Sequence, residues 1–457
     1  MKLRLIDPEV MTVNTEEGMI SLKTLFVPLF IEQLLMNMMG TVNTLILGRY
    51  SDDAVAAVGA ANQMIGLIYT FYAVVSGGTS IVISHRLGAG NGREAGETAF
   101  ASLLFGSGIS IAGSFLLAAC AGPLMMLMQL KGEVLHIAEA YFAIVIRFSF
   151  LQGIMLAASA ILRSYGHPRE AVLVSLLMNA INALLNYLII FRPIELPLYG
   201  TTGIAWANVY SHIVALLAIF LCMLRPKMRR EIRMPVKEGV KALRCLPGIL
   251  KVGLPGGVSS LSYSMSQVVS TSILAVLGTA ALSAKIYVSS IVFYVYVAGY
   301  SLGLSTSILI GWMAGAEEYE KAYRLNRQVL RLALAMNLSL SVLLFLFYRP
   351  LISLFTENPE ITSMAGWILF IDIFVEIGRA LNHVEDNSLR GAGDVVFPMV
   401  VAVISCWCVS IAFSYILGVR LGWGLYGCWI AFMLDELFRG ILFWRRFRSR
   451  KWMRMRI

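Results

Sequence analysis

Apolar residues in this chain run in long continuous blocks separated by short polar turns, and they do not alternate with polar residues. A continuous apolar block of about 20 residues matches a membrane-spanning helix, whereas alternation would indicate a membrane barrel. The pattern predicts an all-α polytopic membrane protein with twelve transmembrane helices. The predicted spans are residues 22–48, 55–84, 95–121, 135–161, 170–191, 202–224, 247–277, 281–310, 328–348, 364–389, 395–418 and 425–444.

The second half of the chain repeats the first at an offset of 227 residues. Thr79-Ser80-Ile81 returns as Thr306-Ser307-Ile308, and Leu162-Arg163 returns as Leu389-Arg390. Each copy contains six predicted spans, so we expect two six-helix lobes related by a pseudo-two-fold axis along the membrane normal, as in many transporters. The predicted division is an N-terminal lobe at residues 1–224, a basic cytoplasmic linker at 225–251 and a C-terminal lobe at 252–457.

Composition and charge also indicate a membrane protein. The chain is 58% hydrophobic and 14% charged, where a soluble domain carries about 25% charge. Most of its 37 lysines and arginines fall in segments predicted to face the cytoplasm, which is the positive-inside pattern. We therefore predict a multi-pass plasma-membrane protein with both termini cytoplasmic. We expect contacts with anionic lipid headgroups, a monomer, and no nucleic-acid partner despite the net charge of +10.

The sequence contains no motif for a metal, a nucleotide or catalysis. The six cysteines have no zinc or haem spacing. The glycine-rich turn at Gly88–Gly92 lacks the Gly-Lys-Ser/Thr ending of a phosphate-binding loop. We predict no enzyme activity, no metal site, and no cofactor apart from H⁺ or Na⁺ as a coupling ion.

The tenth predicted span provides the strongest candidate site, because acids and bases lie inside an apolar segment. Asp372, Glu376, Arg379 and His383 follow at intervals of three or four residues and share one helix face. A charge at the bilayer centre costs about 2.5–3.5 kcal/mol, so this face must contact protein or water. We predict that protonation of Glu376 releases Arg379, that Asp372 receives the ion first, and that His383 relays the proton. A static network that locks the helices together is the alternative.

Two N-terminal spans contain further candidates. In the first span, Glu32, Met36, Met39 and Asn43 share one face. Glu32 is the only acid within that span, so it is an ion-coupling site, part of a structural salt bridge, or a residue near the cytoplasmic interface that snorkels. The fifth span contains an amide ladder, interpreted as cavity lining or as interhelical hydrogen bonding, formed by Asn179, Asn182 and Asn186.

Buried charges are expected to pair, because an unpaired ion in hydrocarbon is costly. The sequence suggests three bases within spans (Arg147, Lys285 and Arg379) and three clear acids (Glu32, Asp372 and Glu376). Lys285 is interpreted as a snorkelling residue or as the movable partner of an acid, and it is a candidate for cavity lining. Phe293, Tyr296 and Tyr300 share a face of the eighth span, which is typical of packing or of cation stacking.

Several segments resemble the multidrug and toxic-compound extrusion (MATE) family. The resemblance covers residues 20–445. It is found in the first span with the residues that follow it, PLFIEQLLMNMMGTVNTLILGRYSDDAVAAVGAANQ, and in the loops LGAGN, ILRSYGHP and SLRGAGD. It implies two six-helix lobes around a central cavity, and export of organic cations in exchange for H⁺ or Na⁺. Asn43 and Asn186 stand where members often have aspartate, and an amide binds no proton at physiological pH. Ion coupling is therefore expected in the tenth span, and Glu32 is the alternative site in the N-terminal lobe.

The sequence thus favours a secondary-active antiporter that exports organic cations or drugs by alternating access. A flippase for lipids or lipid-linked oligosaccharides is the first alternative, because Arg147, Lys285 and Arg379 would suit a pyrophosphate headgroup. A non-transporting membrane scaffold is the second alternative, although a scaffold has no need of buried ions.

Overall fold

The computed structural model describes residues 9–15, 18–48, 51–126, 128, 132–191, 199–232 and 242–455. Within these ranges the only strands are β1 (Thr12–Thr15) and β2 (Gly18–Ser21), which pair as an antiparallel hairpin. The hairpin immediately precedes the first long helix, and the apolar pattern gave no sign of it because its residues are few and mixed in polarity. The rest of the described chain is almost entirely helical.

The helices follow one another in the order expected from the apolar blocks. The first half contains α1 (Leu22–Gly48), α2 (Asp52–Gly88), α3 (Gly92–Ala119), α4 (Ala121–Met126), α5 (Gly132–Arg147), α6 (Phe150–Ser164), α7 (Pro168–Phe191), α8 (Gly200–Leu224) and α9 (Pro226–Ile232). The second half contains α10 (Leu246–Val276), α11 (Thr279–Gly315), α12 (Tyr319–Leu346), α13 (Tyr348–Ser353), α14 (Pro359–Gly391), α15 (Val396–Ser405) and α16 (Gly424–Arg448). Two π-helical segments, Cys406–Ile411 and Ser414–Arg420, extend α15, and a 3₁₀ turn at Lys451–Arg454 follows α16.

Eight helices in the described part of the chain are long and apolar enough to cross a membrane, or nine if the bent pair α5–α6 forms one span. The pair bends by 46° between Arg147 and Phe150. Helices α1, α10 and α16 have 27, 31 and 25 residues, which is also long enough to span a bilayer. Counted together, these elements correspond to the twelve predicted spans and confirm an all-α membrane protein.

The internal repeat is visible in the lengths of the helices. Helices α2 and α11 each have 37 residues, and α3 and α12 each have 28, at the offset found in the sequence. The turn after the fourth span of each copy contains a glycine in the left-handed region, Gly166 at φ 82° and Gly393 at φ 92°. Glycine recurs there because other residues adopt that conformation only with strain.

Contacts divide the chain into two compact units. One unit, here called the N-terminal unit, is Ile31–Gly257, and the other, the C-terminal unit, is Met1–Phe30 with Val258–Ile457. Both divisions fall within helices, shortly after Pro28 in α1 and Pro255 in α10. Proline removes a helical hydrogen bond, so these are natural points for a helix to change its packing partners. The division into 1–224, 225–251 and 252–457 follows sequence similarity and stays a prediction.

Helix α14 is the centre of the C-terminal unit, where it packs against α11, α12 and α16. Its approach to α16 depends on glycine. A Cβ atom on Gly378 would lie 2.7 Å from the Leu437 nitrogen, and one on Gly440 would lie 2.9 Å from the Gly378 oxygen. Such close backbone contact brings the polar side chains of α14 and α16 within reach of each other.

Candidate functional site

Glu376 lies at the middle of α14 with none of its surface exposed. Arg379, one turn later on the same helix, donates a hydrogen bond to Glu376 Oε1. Asn337 Nδ2 on α12 donates to Glu376 Oε2 at 2.9 Å. The predicted pair between Glu376 and Arg379 is therefore present, and both carboxylate oxygens accept a hydrogen bond.

Asp372 lies one turn earlier on α14 and is 1% exposed. Trp429 Nε1 on α16 donates to Asp372 Oδ1 at 3.1 Å. Arg379 is within electrostatic range of both Asp372 and Glu376. The guanidinium carbon of Arg379 also lies 5.3 Å from the centre of the Phe432 ring, a distance typical of a cation–π contact. The guanidinium is also within electrostatic range of Glu436 on α16, so it lies close to three buried carboxylates.

A second cluster with the same composition lies on α16. Arg439 Nη2 donates to Asp435 Oδ2 at 2.6 Å and to Glu436 Oε1 at 2.9 Å. Ser405 donates to the other oxygen of Asp435 at 2.5 Å, and Asn382 Nδ2 donates to Glu436 Oε2 at 2.6 Å. All three charged residues are buried. This cluster is not among the residues predicted from the sequence, although its signal is the run FMLDELFRG inside the twelfth predicted span.

A further buried acid, Glu385, lies near the end of α14. Asn326 Nδ2 on α12 donates to Glu385 Oε2 at 3.1 Å and also to Ser388 at 3.0 Å. The second oxygen of Glu385 has no hydrogen-bond partner among the described residues. Glu385 was likewise not among the sequence candidates, even though it lies within the predicted tenth span.

The predicted balance of three buried bases and three buried acids is therefore wrong. The described spans add Arg439, Asp435, Glu436 and Glu385 to the buried charges. Arg147 is exposed at the end of α5, where it has contact with none of these clusters. The count failed because burial of a charge depends on which helices pack together, which a single apolar block does not reveal.

The predicted relay residue His383 packs against aromatic rings of α11. Its ring lies edge-on to Tyr296 and Tyr300, with centroid distances of 5.0 and 5.7 Å. Tyr296 stacks on Tyr300 at 5.8 Å and contacts Phe293 at 6.2 Å, so these three rings share a face, as their spacing predicted. His383 Nε2 has no hydrogen-bond partner in the described part of the chain.

Lys285 and Arg379 line one cavity of about 290 Å³ within the C-terminal unit. The cavity is bounded by α10, α11, α14, α16 and the π-helical segments. Lys285 Nζ donates to Thr271 Oγ1 at 2.7 Å, and no carboxylate among the described residues forms a salt bridge with it. Lys285 is thus part of a cavity wall in the C-terminal unit, and its predicted role toward a substrate stays a prediction.

In the N-terminal unit, Glu32 forms an ion pair with Arg163. Arg163 Nη1 donates to both oxygens of Glu32 at 3.0 Å. In the second copy the equivalent residues are Ser259 and Arg390, and Arg390 Nη2 donates to the Ser259 hydroxyl at 3.2 Å. The same contact thus joins the first and fourth spans of each copy, with an acidic partner on the first of the two spans only in the N-terminal copy, while Arg390 forms its ion pair with Asp386 on its own helix. This recurrence favours the structural alternative for Glu32, and its role in ion coupling stays a prediction.

The predicted amides of the first and fifth spans come together. Asn186 Nδ2 donates to Asn43 Oδ1 at 2.7 Å and to Asn182 Oδ1 at 3.0 Å. Asn179 lies outside this network, and its buried amide has no partner among the described residues. Met36 is 43% exposed. The side chain of Met39 lies outside the described residues.

Comparison with known proteins identifies the family. The family model MatE matches residues 28–188 and 255–416, one segment in each half of the chain. This chain belongs to the MATE family. Members of the family are transporters, not enzymes, so the MATE chain is a multi-pass membrane transporter.

Two curated relatives span nearly the whole MATE chain. It is 36% identical over 433 residues to "Uncharacterized transporter YisQ" of Bacillus subtilis, covering 94% of both chains. It is 26% identical over 431 residues to "Probable multidrug resistance protein NorM" of Thermotoga maritima, covering 94% of this chain and 92% of the relative. The fold matches a solved MOP superfamily transporter from Pyrococcus furiosus with a TM-score of 0.86 and 21% identity, covering 95% of this chain and 96% of that chain.

Proposed function

We propose that this transporter is a secondary-active exporter of small organic molecules that works by alternating access and is driven by inward H⁺. The coupling site proposed is the buried carboxylate network of α14 and α16. One observation supports it above all: two buried arginines share four buried carboxylates. Arg379 forms an ion pair with Glu376 and is within electrostatic range of Asp372 and Glu436, and Arg439 forms ion pairs with Asp435 and Glu436.

The charge balance explains why protons would bind here. If all four acids were ionised, the two clusters together would carry two uncompensated negative charges, and Glu385 would add another, since no basic residue among those described forms an ion pair with it. An uncompensated buried charge costs several kcal/mol. Uptake of a proton by one acid of each cluster removes this cost. Release of that proton would alter the ion pairs of Arg379 or Arg439 and so bias the packing of α14 against α16.

The hydrogen bonds around the acids favour H⁺ over Na⁺ as the coupling ion. Both oxygens of Glu376 and both oxygens of Glu436 accept from N–H donors. A sodium ion needs several free oxygen ligands, so it would have to displace these donors. A proton needs only one oxygen lone pair.

The family resemblance implies organic cations as the exported class, and the Thermotoga relative is named a probable multidrug resistance protein. A lipid or lipid-linked oligosaccharide flippase stays the second candidate, because Lys285 and Arg379 line the same cavity. Arg147 gives this alternative no support, since it is exposed at the end of α5.

Transport by purified protein in liposomes tests the proposal. A pH gradient and a Na⁺ gradient would be imposed separately, and the movement of ethidium and of a fluorescent aromatic carboxylate would be followed. We expect the pH gradient to drive movement of at least one of the two dyes, and the Na⁺ gradient to drive neither. Movement of both dyes that is indifferent to both gradients would contradict a secondary-active mechanism.

A further inference from the structure

Among the described residues, the charged side chains that line the cavity of the C-terminal unit are basic. Its lining contains the side chains of Lys285 and Arg379, and none of the described residues that line it is an aspartate or a glutamate. Asp372 and Glu376 of α14 are not in the lining, and they accept hydrogen bonds from Trp429 and Asn337. The charged groups that a ligand in the cavity can contact directly are therefore cationic.

No acidic residue among those described forms an ion pair with Lys285, although a partly buried cation would be expected to have such a partner. The bond from its ammonium goes to the neutral hydroxyl of Thr271, and no acid among the described residues lies within salt-bridge distance. A partly buried ammonium without a counter-ion is unfavourable in hydrocarbon. An anion supplied from outside the chain would remove this cost.

Arg379 can contribute to the same anion. A guanidinium has five N–H donors, and the Glu376 contact uses Nη1. Its planar face contacts the rings of Phe432 and Tyr296, at 5.3 and 5.8 Å, which fixes the orientation of the group. The remaining N–H groups match the geometry of a carboxylate or a phosphate.

We propose that this cavity binds the acidic group, a carboxylate or a phosphate, of an amphipathic organic molecule at Lys285 and Arg379. The proposal rests on the transport function proposed above and names its substrate class. The rest of the cavity suits an apolar or aromatic body, because Phe293, Tyr296 and Trp429 also line it. At about 290 Å³ the cavity is near the lower limit of ligand pockets, so it accommodates a small molecule or the acidic end of a larger one.

Binding of a charge series to the unmodified full-length protein gives the first test. The probes are 1-naphthoate, 1-naphthylmethanol and 1-naphthylmethylammonium, which share one ring system and differ in charge. Equilibrium binding would be measured in nanodiscs of phosphatidylcholine with no gradient present. We expect the anion to bind about tenfold more tightly than the neutral alcohol, and the cation to bind most weakly. Equal affinity for all three probes, or tightest binding of the cation, would overturn the proposal.

Variants then test the assignment to Lys285. We expect Lys285→Met to weaken 1-naphthoate binding about tenfold while leaving the alcohol unchanged, and Lys285→Arg to retain the anion affinity. Lys321→Met is the matched control, because Lys321 lies at the start of α12 beside Glu318 and away from the cavity lining. If Lys285→Met binds the anion as tightly as the unmodified protein does, the assignment is wrong.

Competition against bound 1-naphthoate shows whether the acidic group belongs to a lipid or to a soluble molecule. Displacement of 1-naphthoate by short-chain phosphatidate, but not by phenyl phosphate, would identify a lipid headgroup, and the reverse would identify a soluble organic anion. Displacement by neither would overturn an oxyanion site. The binding assay uses no gradient and is therefore independent of the transport assay. If the protein shows no preference for the anionic probe but still transports in response to a pH gradient, only the cavity proposal is refuted. Anion preference without pH-driven transport refutes only the proposed coupling.

Discussion

Asn382 on α14 donates a 2.6 Å hydrogen bond to Glu436 on α16. This bond joins α14, which carries the cluster around Arg379, directly to α16, which carries the cluster around Arg439. The close approach of the backbones at Gly378 and Gly440 occurs beside it. Arg379 is also within electrostatic range of Glu436, so a proton bound at one cluster changes the charge that the other cluster experiences.

Replacement of Asn382 tests how much this bond contributes. Asn382→Ala leaves one oxygen of a buried carboxylate without its donor, which costs about 1–3 kcal/mol. We expect a lower thermal unfolding temperature of the purified protein in detergent. Asn91→Ala is the control, because Asn91 is exposed at the start of α3 and its side chain makes no capping bond. Equal melting of both variants would show that the bond is energetically neutral.

Removal of a titratable group from α14 tests proton coupling. Glu376→Gln preserves the volume of the side chain and the bond with Asn337 but eliminates an ionisable oxygen. We expect proton flux driven by a substrate gradient to fall at least tenfold in liposomes, while substrate binding persists. Glu360→Gln on the exposed first turn of the same helix serves as the comparison and should behave as the unmodified protein does. Full coupling in Glu376→Gln would mean that the network is static.

The ion pair between Glu32 and Arg163 can be removed by placing at position 32 the residue found at the equivalent position of the second copy, Ser259. Glu32→Ser introduces the serine–arginine contact seen between Ser259 and Arg390, but without the ion pair that Arg390 also makes with Asp386. We expect a loss of stability of about 1–3 kcal/mol, because Arg163 loses a partly buried charged partner, and unchanged proton coupling. Thermal unfolding and proton flux would both be measured. Loss of coupling in a well-folded Glu32→Ser protein would instead assign Glu32 to the ion pathway.

The glycine contact between α14 and α16 makes a steric prediction. A Cβ on Gly378 would lie 2.7 Å from the Leu437 nitrogen, so Gly378→Ala must force the two helices apart. We expect a destabilisation of about 1–3 kcal/mol, measured by thermal unfolding. Gly66→Ala in α2, where a Cβ would meet nothing within 4 Å, should leave stability unchanged or slightly higher. A neutral Gly378→Ala would show that the helices are not in tight contact.

The spans and the repeat were predictable because each depends on residues close together in sequence. A bilayer imposes a minimum apolar length, and duplication preserves helix lengths and turn glycines such as Gly166 and Gly393. The charged face of α14 was also predictable, because Glu376 and Arg379 contact each other within one helical turn. These features need no knowledge of which helices are neighbours.

Partners from distant helices were not predictable in the same way. Glu32 and Arg163 are separated by more than a hundred residues, and periodicity identifies a helix face without identifying what packs against it. The cluster on α16 was overlooked because Asp435 and Glu436 are adjacent in sequence and resemble the end of a span. Their burial depends on the glycine contact with α14 and on Ser405, both of which come from other elements.

The division of α1 after Pro28 and of α10 after Pro255 has an evolutionary consequence. Each compact unit includes the beginning of the first helix of the other copy. A single-copy ancestor with this arrangement would have been a domain-swapped dimer, in which each subunit donated the start of its first helix to its partner. Fusion of two such genes would make the exchange permanent. Neither half of the present chain, produced alone, would then possess all the residues of one complete unit.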